Sequence, residues 1–152
     1  MKVISLWQPW ASLIATGAKK IETRSWSTNY RGPLAIHAAK TWNADCEFYM
    51  HTWHIQGGLA PLMGRPLDLT GSSYPDIKGE QLPKGLIIAT CNLVNCIPTD
   101  EFTQKQIEFE KNFGDFTPGR FGWILEDVKP LAEPIPAKGM QGLWNYDLEG
   151  RE

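Results

Sequence analysis

Three charged side chains at close spacing, Lys19, Glu22 and Arg24, mark the stretch of the sequence whose residue types suggest chemistry. A lysine that is shielded from water can act as a base, and a glutamate can relay protons. An arginine can hold a phosphate group or the edge of a planar carbonyl group. The stretch therefore predicts a binding pocket. The plainer interpretation is a solvated strand face that carries a Glu–Arg pair.

The role of Glu22 has two interpretations at this level. It is either a proton relay or the salt-bridge partner that orients Arg24, because an arginine beside a carboxylate keeps the carboxylate ionised. The same neighbour works against Lys19 as a base, since a nearby negative charge favours the protonated amine. The residue pattern leaves both roles open.

The elements that must position these side chains follow from local patterns. Pro9 and Gly17 frame a helix near residues 9–16, with Gly17 as its C-terminal stop. A strand over about 19–26 follows, and its period of two places Lys20, Glu22, Arg24 and Trp26 on one face. Trp26 is predicted to form a wall of the cleft, and Trp7 is a second candidate.

Apolar periodicity predicts the remaining elements, and the chain 1–152 is expected to form a single domain. Residues 57–84 are rich in glycine and proline and predict a long loop or an insertion. The expected fold class is α+β, a small β-barrel of five or six strands with two or three packed helices. The other predicted strands lie near 3–6, 33–39, 85–97, 121–128 and 131–137, and the other predicted helices lie over 43–55 and 99–113.

Composition narrows the classes of partner. The net charge is −2, so general binding of polyanions is not expected, but residues 1–40 have six basic side chains against Glu22 alone. This excess predicts a localised surface that faces an anion. Three cysteines without a CxxC motif predict a reduced, cytoplasmic protein without metal or cofactor. The sequence has no apolar run long enough to span a membrane, so contact with a membrane is not expected.

A wider set of residues resembles the ASCH domain family, and among its members the type found in activating signal cointegrator-1 proteins. The resemblance covers about residues 3–146. It is carried by Ser5-Leu6-Trp7-Gln8-Pro9-Trp10, Gly17-x-Lys19-x-x-Glu22-x-Arg24-x-Trp26, Arg31-Gly32-x-Leu34-x-Ile36, Gly85-x-Ile87-x-x-x-Cys91, Trp123-Ile124 and Pro134-Ile135-Pro136-x-Lys138-Gly139.

The resemblance implies a PUA-like fold with a cleft for RNA, single-stranded DNA or a nucleoside. Gln8 either reads a base edge or caps its helix, and His37 is either a base or a hydrogen-bonded barrel residue. A protein partner can be expected at the acidic surface or at residues 57–84. The residues expected to bind nucleic acid are Gln8, Lys19, Lys20, Arg24, Trp26, Arg31, His37, Lys40 and Lys138.

The resemblance also implies an alternative class, because some members resemble hydrolases of acetylated cytidine and others resemble ribonucleases. Lys19 matches the lysine of the hydrolases, and Glu108 or Glu110 can supply their helical acid. Glu22 stands where those enzymes have a threonine, and it would share the catalytic role with Lys19 if this chain were an enzyme. The substitution predicts weak or absent deacylation with binding retained.

Overall fold

The computed structural model describes residues 1–148, and in this part of the chain three helices pack against a curled sheet of six strands. This is the α+β fold that the sequence patterns predict, and its curled sheet agrees with the PUA-like fold that the family resemblance implies. The predicted domain extends to residue 152, and its last four residues lie outside the described part. The elements in chain order are β1 (Lys2–Leu6), α1 (Trp10–Ala15), β2 (Ile21–Arg24), β3 (Gly32–Ala38), α2 (Ala44–Met50), α3 (Trp53–Leu59), β4 (Leu86–Pro98), β5 (Phe121–Pro136) and β6 (Leu143–Asn145).

The strands lie in the order β2-β5-β4-β3-β1-β6. Only β1 and β3 are parallel, and the other neighbours are antiparallel. The parallel pair requires a crossover, which the chain makes through α1 and β2. The pairing of β2 with β5 places Glu22 opposite Trp123 and Arg24 opposite Phe121. The charged strand β2 therefore forms one edge of the sheet, next to the segment that precedes β5.

Helix α1 lies between the sheet and the pair α2–α3. Ile14 packs into the sheet cluster, whereas Leu13 packs into a second cluster with Met50, Leu59 and Phe113. Burying a side chain of this size contributes about 1.5–3 kcal/mol each. Through Phe113, which is buried in this second cluster, the segment that precedes β5 packs beside α1 and β2.

The segment 57–84 contains the end of α3 and short 3-10 turns at Ala60–Met63 and Gly79–Gln81. Its middle is pinned to α3 because Gln56 donates to the Ile77 carbonyl oxygen and accepts from the Ile77 amide. Ile77 and Leu82 are buried in the second cluster. The predicted long loop is therefore packed against the helices over part of its length.

The helix predicted over 99–113 is wrong, since this segment forms 3-10 turns at Thr99–Glu101 and Glu110–Asn112 and, between them, turns with isolated helical hydrogen bonds but no continuous helix. Its phenylalanines do not share one buried stripe. Phe102 packs under Gly122, Phe113 enters the second cluster and Phe109 is exposed. Tertiary packing at two separate places overrides the helical spacing.

The predicted break at Lys129-Pro130 is also wrong, because β5 continues from Phe121 to Pro136. Beyond Leu125, whose amide donates to the Lys20 carbonyl oxygen, the strand pairs only with β4 among residues 1–148, so its other edge has no strand neighbour there. Proline is tolerated at such an edge because no ladder hydrogen bond needs its missing N–H group.

The single helix predicted over residues 43–55 is present as two short helices, α2 and α3. The first of them is capped by Asn43, as expected.

Candidate functional site

A pocket of about 650 Å³ opens between the charged strand β2, the end of β1 and the segment before β5. Pockets of 300–1,000 Å³ are the usual size of small-molecule sites. Helices α1 and α2 close one side of it with aromatic side chains. The lining residues are Ser5, Leu6, Trp7, Trp10, Glu22, Thr23, Arg24, Tyr49, Lys111, Asn112, Phe113, Gly114, Asp115 and Arg120.

Glu22 and Arg24 face the pocket as a fixed ion pair. Arg24 donates from Nε to Glu22 Oε2 at 2.8 Å and from Nη2 to the Ser5 carbonyl oxygen at 2.8 Å. The guanidinium is held at two points, while Nη1 has no hydrogen-bond partner among residues 1–148. This leaves a positioned donor next to a carboxylate that is itself mostly buried. A polar planar ligand can pair with both groups at once.

Lys19 lies behind Glu22 and does not line the pocket. Its side chain is 1% exposed, and Nζ lies 2.7 Å from the Ile21 carbonyl oxygen, 3.1 Å from that of Phe113 and 3.3 Å from Glu22 Oε1. Three acceptors match the three N–H groups of an ammonium ion, whereas a neutral amine has only two. Lys19 therefore anchors the site as a cation and has no lone pair to serve as a base.

The segment before β5 forms the opposite wall and is tied directly to β2. Asp115 donates its amide to Thr23 Oγ1 at 3.1 Å, and Arg120 Nη2 donates to the Thr23 carbonyl oxygen at 3.2 Å. Glycine at 114 permits this approach, because a Cβ there would meet Thr23 Oγ1 at 3.1 Å and Lys19 Nζ at 3.2 Å. The wall is thus held by contacts that span about ninety residues of sequence.

The charge around the pocket is positive on balance. Hydrogen bonds from the backbone and hydroxyl of Thr117 lower the pKa of Asp115, and Arg120 lowers it further, so Asp115 is ionised at neutral pH. Glu22 and Asp115 therefore supply two negative charges. The basic residues of the lining, Arg24, Lys111 and Arg120, supply three positive ones. The excess suits an anionic ligand.

Aromatic side chains form the remaining wall. Trp7 is 44% exposed and Tyr49 is 42% exposed, although both line the pocket. Trp10 is more deeply set and packs edge-to-face with Tyr49, with ring centroids 5.6 Å apart. Flat rings that remain accessible beside fixed charges are suited to stacking against a heterocyclic base.

Glu110 supports the site from outside the pocket. Its carboxylate accepts hydrogen bonds from the amides of Lys20 and Ile21, which fixes the start of β2. Burial raises the pKa of Glu110 despite these bonds and the nearby lysines. The carboxyl group of Glu110 is engaged with these two amides and does not line the pocket. It therefore does not take the position that an acid acting on a ligand in the pocket would need.

The raised pKa of Glu110 predicts a definite dependence of stability on pH. A carboxyl group whose pKa is higher in the folded state contributes stability that is complete below its ordinary pKa of 4.5 and is lost as pH rises through the folded value. The free energy of unfolding of the wild type minus that of Glu110→Gln should therefore fall as pH rises above 4.5. Urea unfolding at a series of pH values measures this difference. A difference that rises with pH would contradict the assignment.

Three predicted site residues are used by the fold instead. Gln8 is fully buried, and its Nε2 donates to Ser12 Oγ and to the Pro83 carbonyl oxygen. Its Oε1 accepts from the Ser12 amide in the first turn of α1, so Gln8 caps this helix. His37 lies between Ser5 Oγ and the Ala137 carbonyl oxygen, and burial lowers its pKa, so it is a neutral, hydrogen-bonded barrel residue. The structure places Trp26 outside the pocket as well, since β2 ends at Arg24.

Trp26 packs edge-to-face on Trp123, with ring centroids 4.8 Å apart. The other predicted basic residues are exposed but lie outside the pocket. Arg31 donates to two carbonyl oxygens of its own turn and to Asn95. Contact of these side chains with nucleic acid stays a prediction. The exposed residues concerned are Lys20, Arg31, Lys40 and Lys138.

Sequence reasoning did not find Tyr49, Lys111, Asp115 and Arg120 as pocket residues. Tyr49 lies in the helix predicted over 43–55, where its spacing does not distinguish it from a packing residue. The other three lie in the acidic remainder of the chain, about ninety residues beyond the motif. Their only local signal is weak, namely the Gly114 and Gly119 positions that break regular structure around them.

Two further structural points concern metals and membranes. Among residues 1–148 no three or more His, Cys, Asp or Glu side chains are grouped to hold a metal ion. Cys91 is buried, which raises the pKa of its thiol to about 12. No helix in the same part of the chain is both long and apolar enough to cross a membrane.

The curled sheet, its flanking helices and the cleft beside β2 define a small PUA-like domain. The family model of the ASCH domain matches residues 4–135, and the chain belongs to the ASCH domain family. The cleft is lined by Glu22 and Arg24 of the motif that carries the family resemblance, with Lys19 directly behind.

Similar proteins agree with this membership. The chain is 28% identical over 147 residues to activating signal cointegrator 1 of Mus musculus and equally to that of Homo sapiens. The match covers 95% of this chain but 22% of those proteins, so the chain spans about a fifth of their length. A crystal structure of ASCH from Zymomonas mobilis superimposes with a TM-score of 0.50 at 16% identity, covering 89% of this chain and 72% of that one, and supports the fold.

Proposed function

We propose that this domain binds a nucleotide unit of single-stranded RNA or DNA in the pocket beside β2, without catalysing a reaction. The observation that carries the proposal is the pairing of accessible rings, Trp7 and Tyr49, with the fixed Glu22–Arg24 ion pair. Stacking on a ring is tolerant of base identity, and a fixed donor–acceptor pair reads a polar edge.

The bound nucleotide follows from the placement of these groups. The base lies against Trp7 and turns its polar edge to Arg24 Nη1 and the Glu22 carboxylate. Lys111 and Arg120 lie on the opposite wall, where they can pair with the phosphate. Since the positive excess is small, the site suits a short strand and not the continuous backbone of a duplex.

A salt series tests this proposal directly. Contact with about two to four phosphates predicts a slope of about −1.4 to −2.8 in a plot of log affinity against log salt concentration. The measurement is fluorescence anisotropy of labelled RNA and DNA hexanucleotides. A hairpin duplex serves as the competing control and should bind more weakly. Absence of binding to either single strand at low salt would overturn the proposal and favour a protein partner instead.

Hydrolysis of acetylated cytidine is expected to be weak or absent. Lys19 is held as an ammonium ion by three acceptors, and Glu110 is occupied by two amides of β2. Glu22 fills the position where a hydroxyl residue would be needed and pairs with Lys19 and Arg24. The lysine and the helical acid that the hydrolase resemblance implies are therefore both engaged within the fold, and the position of the hydroxyl residue is taken by Glu22.

Turnover of acetylcytidine by the wild type and by Glu22→Thr checks this prediction, with the release of acetate as the readout. No turnover by the wild type is expected. Activity that appears only in Glu22→Thr would identify Glu22 as the residue that keeps the site silent. Robust turnover by the wild type would contradict the binding-module assignment and make the domain an enzyme.

A further inference from the structure

We infer that the binding site continues beyond the pocket as a second stacking position on Phe48, so that the ligand is a strand of at least two nucleotides. This inference rests on the proposed function, and it adds the length and shape of the ligand. Phe48 lies on α2 directly next to Tyr49, which is part of the pocket wall.

The exposure of Phe48 is the first observation. Its side chain is 67% exposed, more than any other large apolar side chain among residues 1–148. Helix α2 is held to the body by Cys46 and Met50, which are fully buried, so Phe48 is not needed for docking the helix. Together with Tyr49, which it contacts and which is 42% exposed, Phe48 forms a contiguous exposed aromatic surface at the rim of the pocket.

The second observation is the continuity of the rings. Trp10 contacts Tyr49 at 5.6 Å between centroids, and Tyr49 contacts Phe48 at 5.2 Å. The rings of Tyr49 and Phe48 are almost perpendicular, at 89°. One base on Phe48 and another in the pocket would therefore be splayed apart and not stacked on each other. Splayed bases are the usual form in which single-stranded RNA is read.

The charges of α2 decide which part of the ligand lies there. Asp45 and Glu47 are exposed on the same helix, and Glu47 is tied to Trp42 and His51. A phosphate would be repelled by these carboxylates, whereas an uncharged base would not. The base therefore lies on Phe48, and the phosphate that joins the two nucleotides lies on the side of Lys111.

The test compares a nucleoside monophosphate, a dinucleotide and a hexanucleotide of the same base by isothermal titration, with wild type, Phe48→Ala and Trp53→Ala. Trp53 is the matched control, because it is 54% exposed on α3 and does not line the pocket. Phe48→Ala should weaken the dinucleotide and the hexanucleotide roughly fivefold or more, as loss of one stacked base implies, and leave the monophosphate unchanged. Trp53→Ala should leave all three unchanged.

Several outcomes would overturn the inference while keeping the pocket. If the wild type binds the monophosphate and the hexanucleotide with equal affinity and Phe48→Ala changes neither, Phe48 does not contact nucleic acid, and its exposed ring would instead suit another partner such as a protein. Equal weakening of all three ligands by Phe48→Ala would make the ring part of the pocket wall and not a second position. Failure of all three ligands to bind the wild type would instead overturn the proposed function itself.

Discussion

Replacing Lys19 with methionine is expected to lower the free energy of unfolding by about 2–6 kcal/mol, because two buried carbonyl oxygens lose their donor. The substitution leaves Glu22 with one cation instead of two. It also removes the donor from the carbonyl oxygens of Ile21 and Phe113, and each buried acceptor left unpaired costs about 1–3 kcal/mol. Because domains of this size are stable by only about 5–15 kcal/mol, the effect is a large share of the total.

The neighbouring residue gives a matched control for this prediction. Lys20 has the same side chain but is exposed, so Lys20→Met should change stability by less than about 0.5 kcal/mol. Urea unfolding followed by tryptophan fluorescence measures both variants. The double variant Lys19→Met with Glu22→Gln should be less destabilised than the two single changes added together, since each single change already removes the same Lys19–Glu22 contact. Equal stability of Lys19→Met and Lys20→Met would contradict the anchoring role of Lys19.

The frame of the site is predictable from local sequence. Short apolar runs mark β1 and β3, alternating residues mark β2, and the apolar run from Gly85 marks β4. Gly17 ends α1 with φ of 88°, a conformation in which a glycine is favoured. These features depend on neighbours within a few residues, so the printed sequence carries them directly.

The inward direction of Lys19 is not predictable in the same way. Alternation applies inside a strand, and β2 begins only at Ile21. Between Gly17 and Ile21 the chain follows its contacts with α1 and Glu110, and these turn Lys19 toward Phe113. The position of Trp26 is not predictable for a similar reason at the C-terminal end of β2. The strand stops at Arg24, and the following residues place the indole of Trp26 against Trp123 and not in the pocket.

The far wall of the pocket depends on pairing at long range. The register of β2 with β5 brings Asp115 and Arg120 to Thr23, across more than ninety residues. Charge counted along the sequence therefore does not locate the basic side chains of the pocket. Arg24 of the basic N-terminal part lines it with Lys19 directly behind, whereas Lys111 and Arg120 come from the part that is acidic overall.

Replacing Trp7 with alanine is expected to weaken binding of a single-stranded hexanucleotide by about 1–3 kcal/mol, the usual contribution of one base stacked on an aromatic ring. Trp7 is 44% exposed, lines the pocket and is not part of the buried clusters. Its ring is therefore available to a ligand, and its loss should leave most of the folding free energy intact. Trp10 is unsuitable for the same test, because it also packs against the core.

The most direct test of the nucleotide pocket is the dissociation constant of a labelled RNA hexanucleotide, measured by anisotropy for wild type, Trp7→Ala and Trp53→Ala. Trp53 is an equally accessible tryptophan outside the pocket, so it controls for general effects of losing an indole. We expect Trp7→Ala to bind roughly 5- to 150-fold more weakly than the wild type, and Trp53→Ala to bind as the wild type does. Equal affinity of Trp7→Ala and Trp53→Ala would contradict the assignment of this pocket as the binding site.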